Sequence, residues 1–183
     1  MPERDLKTMV REHDARCQIY DAIMRWARGV DRNDPELIRS AFHPDGWDDH
    51  GAFAGTAADF ADWVVHMHLT TYLGTTHYML NHYVELHGST AKAETCAAVA
   101  LRVEHQGKPY EILGRSRFLD NLEERDGVWR ILRRQLVLDH ARVADATDQT
   151  AALFGPDAGS PELVRNMLPG ARDTSDPSYA HFA

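Results

Sequence analysis

Thr75-Thr76-His77-Tyr78-Met79-Leu80-Asn81-His82-Tyr83-Val84-Glu85-Leu86-His87 is the stretch whose reading decides the fold class. It is rich in aromatic and β-branched residues and stops at Gly88-Ser89, so it reads as a β-strand ending in a turn. The pattern then repeats downstream. Thr90–Glu104 ends at Gln106-Gly107-Lys108-Pro109, Tyr110–Leu122 ends at Arg125-Asp126-Gly127, and Val128–His140 closes the series. An Asp-Gly step is a strong hairpin signal. Four such strands in succession predict an antiparallel meander.

Upstream the periodicity is helical. Ile19, Ile23, Trp26 and Val30 form one apolar stripe, with Gly29 near its end. Asp34-Pro35-Glu36 then supplies a cap, a first-turn proline and an acid at the positive end of the dipole. This predicts a short helix to about Phe42, stopped by His43-Pro44-Asp45-Gly46. Trp47–Phe53 reads as a short strand or loop. Thr56-Ala57-Ala58-Asp59 has the form of a capping box and opens a third helix carrying Phe60, Trp63, Val64 and Met67. Helices segregated from a run of strands indicate an α+β domain, here over residues 1–145. Beyond it Gly and Pro interrupt any period. Residues 146–183 are expected to be an arm with one short helix at Pro161–Met167, packed on its own domain, on a neighbour, or disordered.

The 183 residues suit a single domain. Lys and Arg number 20 against 28 Asp and Glu, a net charge of −8, so nucleic acid is not an expected partner. No apolar run reaches the roughly 18 residues of a membrane span. Met1-Pro2-Glu3-Arg4-Asp5 lacks a signal-peptide core, which places the chain in the cytoplasm as an expectation. Cys17 and Cys96 form no close-spaced pair. There is no glycine-rich phosphate loop, nucleophile elbow or His-Glu-x-x-His, so no cofactor is expected. The eleven histidines prompt a check for metal spacing. His66 and His68 point about 200° apart on a helix, and strict alternation sends His77 and His82 to opposite faces of a strand. No metal is expected.

The strand at 75–87 carries the chemistry. Alternation puts His77, Met79, Asn81 and Tyr83 on one face, a mixture of apolar and polar groups as in a ligand pocket. Tyr78, Leu80, Val84 and Leu86 share the other, which reads as core. An imidazole has the natural pKa of a general base, and a carboxylate on another element is its usual orienting partner. Asp31 is the candidate. It ends the first helix, where the dipole disfavours an acid by roughly 0.3–1 kcal/mol. It either turns inward beside Val30 or bonds the loop at Arg32-Asn33.

The order and spacing of several strings resemble the SnoaL-like branch of the nuclear-transport-factor-2-like superfamily. They are Gly29-Val30-Asp31, Pro35-Glu36-Leu37, Phe42-His43-Pro44-Asp45, Thr75-Thr76-His77-Tyr78 with Asn81, Phe118-x-Asp120, and Arg125-Asp126-Gly127-Val128-Trp129-Arg130. The resemblance implies a curved antiparallel sheet forming a cone-shaped α+β barrel, closed by N-terminal helices around an internal pocket. Catalytic members of the family, among them scytalone dehydratase, hexachlorocyclohexane dehydrochlorinase and bile acid 7α-dehydratase, use a His–Asp pair for proton abstraction and elimination. By that similarity His77 and Asp31 match the pair, and Arg134 matches a pocket arginine whose partner is either Asp31 or a ligand. Trp26 stands where the bile acid enzyme has a catalytic tyrosine. An indole N–H donates a hydrogen bond but is no acid, which leaves Tyr20 and Tyr78 as candidate hydroxyls.

The expected function is that of a cofactor-free lyase or isomerase acting on a small hydrophobic ring compound, steroid-like or polyketide-like. His77 would take the proton and Asp31 would hold its Nδ1. Arg134 or Asn81 would steady an oxyanion, and Trp26, Trp63 and Met79 would line the ring. The alternative is a non-catalytic ligand-binding or assembly module of the same fold, including the structural small subunit of a ring-hydroxylating dioxygenase. A homo-oligomer, dimer or trimer, is expected in either case, with Asp139-His140 at a pocket rim or a subunit contact.

Overall fold

The computed structural model describes residues 5–147 and 170–182. Helix α1 spans Leu6–Asp31 and α2 spans Pro35–Ser40. Strands β1 (Phe42–Asp49) and β2 (Ala54–Thr56) precede α3 (Ala57–Thr71). The meander follows as β3 (Gly74–His87), β4 (Thr90–His105), β5 (Lys108–Arg125) and β6 (Val128–Asp145), and α4 (Pro177–His181) lies in the tail.

Local chemistry sets these boundaries. The Asp34 side chain accepts from the Leu37 N–H at 2.9 Å, so α2 starts at Pro35. Thr56 Oγ1 accepts from the Asp59 N–H at 3.1 Å and donates to the Asp59 carboxylate at 2.7 Å, a capping box built with Asp. Gln106-Gly107 and Asp126-Gly127 turn with both φ angles positive, the two-residue turn whose twist matches that of paired strands.

The six strands lie in the order β2-β1-β6-β5-β4-β3, in a curved, unclosed sheet of the cone-like α+β type. It is mixed rather than wholly antiparallel, because β1 runs parallel to β6, with Asp48 opposite Arg134. The second helix also ends before the expected Phe42. The Ala41 carbonyl accepts from the Ile131 N–H at 3.0 Å, so β6 takes the chain into the sheet from this point. The helices cover the inner face of the sheet. Ile19, Ile23, Trp26 and Val30 of α1 are all buried, with Phe60 of α3 and Phe42, Phe118 and Ile131 of the sheet.

Gly29 lets α2 pack directly against α1. A Cβ there would lie 2.8 Å from both Ile38 Cγ1 and the Ile38 backbone N. Overpacking of this kind costs about 1–3 kcal/mol. Gly29→Ala is therefore expected to lower the unfolding free energy by that amount in urea titration, and unchanged stability would show that the contact relaxes freely.

The described part of the tail packs on its own chain. The Asn33 side-chain amide donates to the Arg172 carbonyl at 2.8 Å, and the Tyr179 hydroxyl donates to Asp34 at 2.6 Å. Arg28 sits 4.7 Å over the Tyr179 ring, and Arg172 donates to the His68 carbonyl at the end of α3 at 3.2 Å. The expected helix at Pro161–Met167 lies outside the described residues.

Candidate active site

Asp31 turns inward. As the last residue of α1 it is nearly buried, and its two carboxylate oxygens divide their work. Oδ2 accepts the backbone N–H of His77 at 2.9 Å, and Oδ1 lies 2.7 Å from His77 Nδ1. A carboxylate only accepts, so Nδ1 carries the proton. Among the described residues Nε2 has no hydrogen-bond partner and is the nitrogen free to act as a base. The His77 side chain is only 6% exposed, and its ring stands edge-on to Trp26 with centroids 5.4 Å apart. The acid at the unfavourable end of the helix is thus compensated by two hydrogen bonds, each of order 1–3 kcal/mol when one partner is charged.

A bulge changes the rest of β3. Met79 pairs with Ala97 and His82 with Thr95, so Leu80 and Asn81 together oppose Cys96. Two residues against one reverse the alternation from that point. Thr75, His77, Met79, His82, Val84 and Leu86 share the inner side. Tyr78 and Leu80 are each 56% exposed and Tyr83 is 64% exposed. Two expectations are corrected here. Asn81 and Tyr78 are exposed on the outer face and do not join His77. Tyr78 and Leu80 are not core. His82 turns inward, with Nδ1 2.8 Å from Thr95 Oγ1 and its ring edge-on to Tyr20 at 5.8 Å, and burial pushes its pKa down. It shares a face with His77 after all, although no cluster of three or more metal-ligating side chains occurs among the described residues.

Arg134 is fully buried, and the carboxylate it meets is Asp120 rather than Asp31. Its Nε and Nη2 both donate to Asp120 at 2.7 Å, across the β5–β6 pair. The guanidinium lies 4.3 Å over Trp26 and 4.5 Å over Phe118. A bulge between Ile131 and Arg133 places Arg134 on the same inner side as Ile131. Trp26 is buried at the centre, Trp63 stacks 5.2 Å from Phe53, and Met79 packs against the same core, while Tyr20 is about half exposed. Asp139 pairs with Arg117 on the sheet surface at 2.9 Å.

The site contains groups that the sequence reading passed over. Asp48 is fully buried on β1, and its Oδ1 lies 2.9 Å from His50 Nδ1. The His50 ring lies 4.9 Å from Phe60, 6.0 Å from Phe118 and 5.8 Å from Trp26. Both imidazoles, His50 and His77, therefore border the same indole. The signal was Asp-x-His at the end of β1, a spacing short enough for the carboxylate to reach the imidazole. Trp26 Nε1, Arg134 Nη1 and Asp48 Oδ2 are buried around this centre without a hydrogen-bond partner among the described residues. Such groups are usually paired, with protein or with a bound polar molecule.

His68, at the end of α3, is the other addition. Its Nδ1 lies 3.4 Å from Thr75 Oγ1. Burial, reinforced by His77 and Arg172, pushes its pKa down from 6.5 to about 3. His68 is therefore neutral in the folded protein, while the unfolded chain takes up its proton below about pH 6.5. Between pH 6.5 and 3 the unfolded state binds more protons, so stability falls with falling pH by up to about 1.4 kcal/mol per pH unit. Above pH 6.5 the group contributes no slope. Urea titrations at pH 7, 5 and 4 are expected to show a shallower decline in His68→Gln than in the natural chain, and equal slopes would refute the assignment.

An open groove of about 630 Å³ lies on the sheet. Its lining runs from outward residues such as Trp47, Tyr83 and Arg133 to the buried Asp120 and Arg134, and does not include His77 or Asp31. No helix among the described residues is long and apolar enough to cross a membrane.

Solved structures share this fold at low sequence identity. A protein described as a scytalone dehydratase from Novosphingobium aromaticivorans superposes with a TM-score of 0.62 at 18% identity, over 73% of this chain and 90% of its own. Hexachlorocyclohexane dehydrochlorinase of LinA type 3 from Novosphingobium barchaimii gives 0.68 at 18% identity, over 76% and 95%. A protein of unknown function from Mycobacterium tuberculosis gives 0.58 at 20%, over 68% and 71%. No match was found among the curated proteins. The family of the SnoaL-like domain matches residues 11–135, which span α1 through the first half of β6 and hold Asp31, Asp48, His50, His77, Asp120 and Arg134, and the chain belongs to that family.

Proposed function

We propose that the chain is a cofactor-free lyase of the dehydratase type, with His77 as general base on a small hydrophobic ring compound. One observation carries this reading. Asp31 grips both the backbone and the ring of His77, which among the described residues leaves Nε2 unengaged on a ring packed edge-on to Trp26. Such an arrangement abstracts a proton from carbon next to a carbonyl and is worth roughly 10²–10⁴-fold in rate. The unpaired Trp26 Nε1 and Arg134 Nη1 offer hydrogen bonds to an oxygen of the substrate. Similarity in fold to a dehydrochlorinase and to a protein described as a dehydratase supports elimination chemistry. The test is exchange of the α-protons of 1-tetralone, a two-ring ketone with no leaving group, into D2O, followed by NMR. Exchange above the buffer rate that depends on His77 supports the reading. Binding without exchange would leave a ligand-binding module of the same fold.

A further inference from the structure

The base abstracts a proton, but elimination also needs a proton for the departing oxygen. Trp26 cannot supply it. Tyr78 is exposed on the outer face, and Tyr20 is half exposed beside His82. From Asp48 and His50 we infer a second acid–base pair for the same site, in which His50 is the general acid that protonates the leaving group. This rests on the reading of His77 as base.

Three observations support it. Asp48 is wholly buried, and its Oδ1 holds His50 Nδ1 at 2.9 Å. A buried carboxylate needs a hydrogen-bonded or cationic partner, and His50 Nδ1 supplies one. The bond occupies Nδ1, and among the described residues Nε2 has no hydrogen-bond partner. The His50 side chain is 16% exposed. It packs against Phe60, Phe118 and Trp26, the indole that His77 also borders. Asp48 lies on β1 and His50 directly follows its end, on the opposite side of the sheet order from β3, so the two histidines approach the interior from different places in the sheet.

The step balances without a cofactor. His77 Nε2 takes a proton from the carbon beside the carbonyl, and that electron pair forms the C=C bond. The C–O bond to the leaving hydroxyl breaks, and its oxygen takes the proton of the His50 imidazolium from Nε2. Water leaves. His77 ends protonated and His50 neutral, and solvent returns the proton from one to the other.

The test compares two reactions. α-Proton exchange of 1-tetralone needs the base alone, whereas dehydration of 3-hydroxy-1-tetralone needs base and acid. His50→Asn keeps a donor toward Asp48 but has no proton to give. It is expected to slow dehydration at least about 100-fold more than it slows exchange, while His77→Ala slows both together. Equal effects of His50→Asn on the two reactions would overturn the inference and leave the base standing. No exchange with the natural chain would instead overturn the base, and the inference with it. Should His50→Asn fail to fold, the natural chain still decides. With an acid in place, 3-hydroxy-1-tetralone eliminates within about 10⁴-fold of its 3-(4-nitrophenoxy) counterpart, whose anion departs unaided. A wider gap means that no acid acts.

Discussion

In His77→Ala, α-proton exchange of 1-tetralone is expected to fall by about 10²–10⁴-fold, to the rate of buffer. The fold should survive, because Asp31 Oδ2 bonds the backbone N–H at position 77 and not the side chain. The companion variant, Asp31→Asn, is more informative. A carboxylate forces the proton of His77 onto Nδ1, whereas an amide that keeps its oxygen on the backbone N–H presents its NH2 to the ring. Nδ1 then becomes the acceptor, and Nε2 carries the hydrogen. The base is lost although every heavy atom stays in place, the wrong-tautomer effect known from hydrolase triads, where it reaches about 10⁴-fold. We expect Asp31→Asn to approach His77→Ala in exchange rate while its urea midpoint moves little. Exchange in His77→Ala within threefold of the natural chain would end the catalytic reading.

The largest effect on stability is expected at Asp120. Its carboxylate and the Arg134 guanidinium both have fully buried side chains and meet through two bonds of 2.7 Å. Removing one member of a buried pair strands the other charge and costs about 3–5 kcal/mol. Asp120→Ala should therefore lose that much in urea unfolding, enough to threaten folding in a domain with about 5–15 kcal/mol to lose. The double variant Asp120→Leu with Arg134→Met should recover most of the loss, since well-packed apolar residues of similar volume often replace such pairs at no net cost. A single-variant loss below about 1 kcal/mol would contradict the assignment. The guanidinium also stacks on Trp26, so the double variant further reports whether the arginine supports the site itself.

How much of this could be read beforehand depends on distance along the chain. The α1 stripe, the Asp34 cap and the Asp126-Gly127 turn are local, and each appears as expected. The inward turn of Asp31 was one of two open alternatives, and the structure selects it because β3 brings a backbone donor and an imidazole to the same carboxylate. Asn81 was misplaced, and the face of Tyr78 and Leu80 misread as core, because a bulge at Leu80-Asn81 moves Val84 and Leu86 to the side of His77, and strict alternation contains no sign of an extra residue. Asp48 and His50 went unread because β1 owes its place to β6, more than 80 residues away.

Residue pattern by itself determined the helices, the meander and the residue types able to move a proton, because periods, caps and turns act over a few neighbours. The resemblance named His77 with Asp31, and only the tertiary structure decided the other pairings. His77 with Asp31, His50 with Asp48 and Arg134 with Asp120 all meet in one interior centred on Trp26. Bulges and the parallel pairing of β1 set which way each of these side chains points. Those features come from the hydrogen-bond ladder closing between distant strands, a long-range constraint that local sequence does not carry.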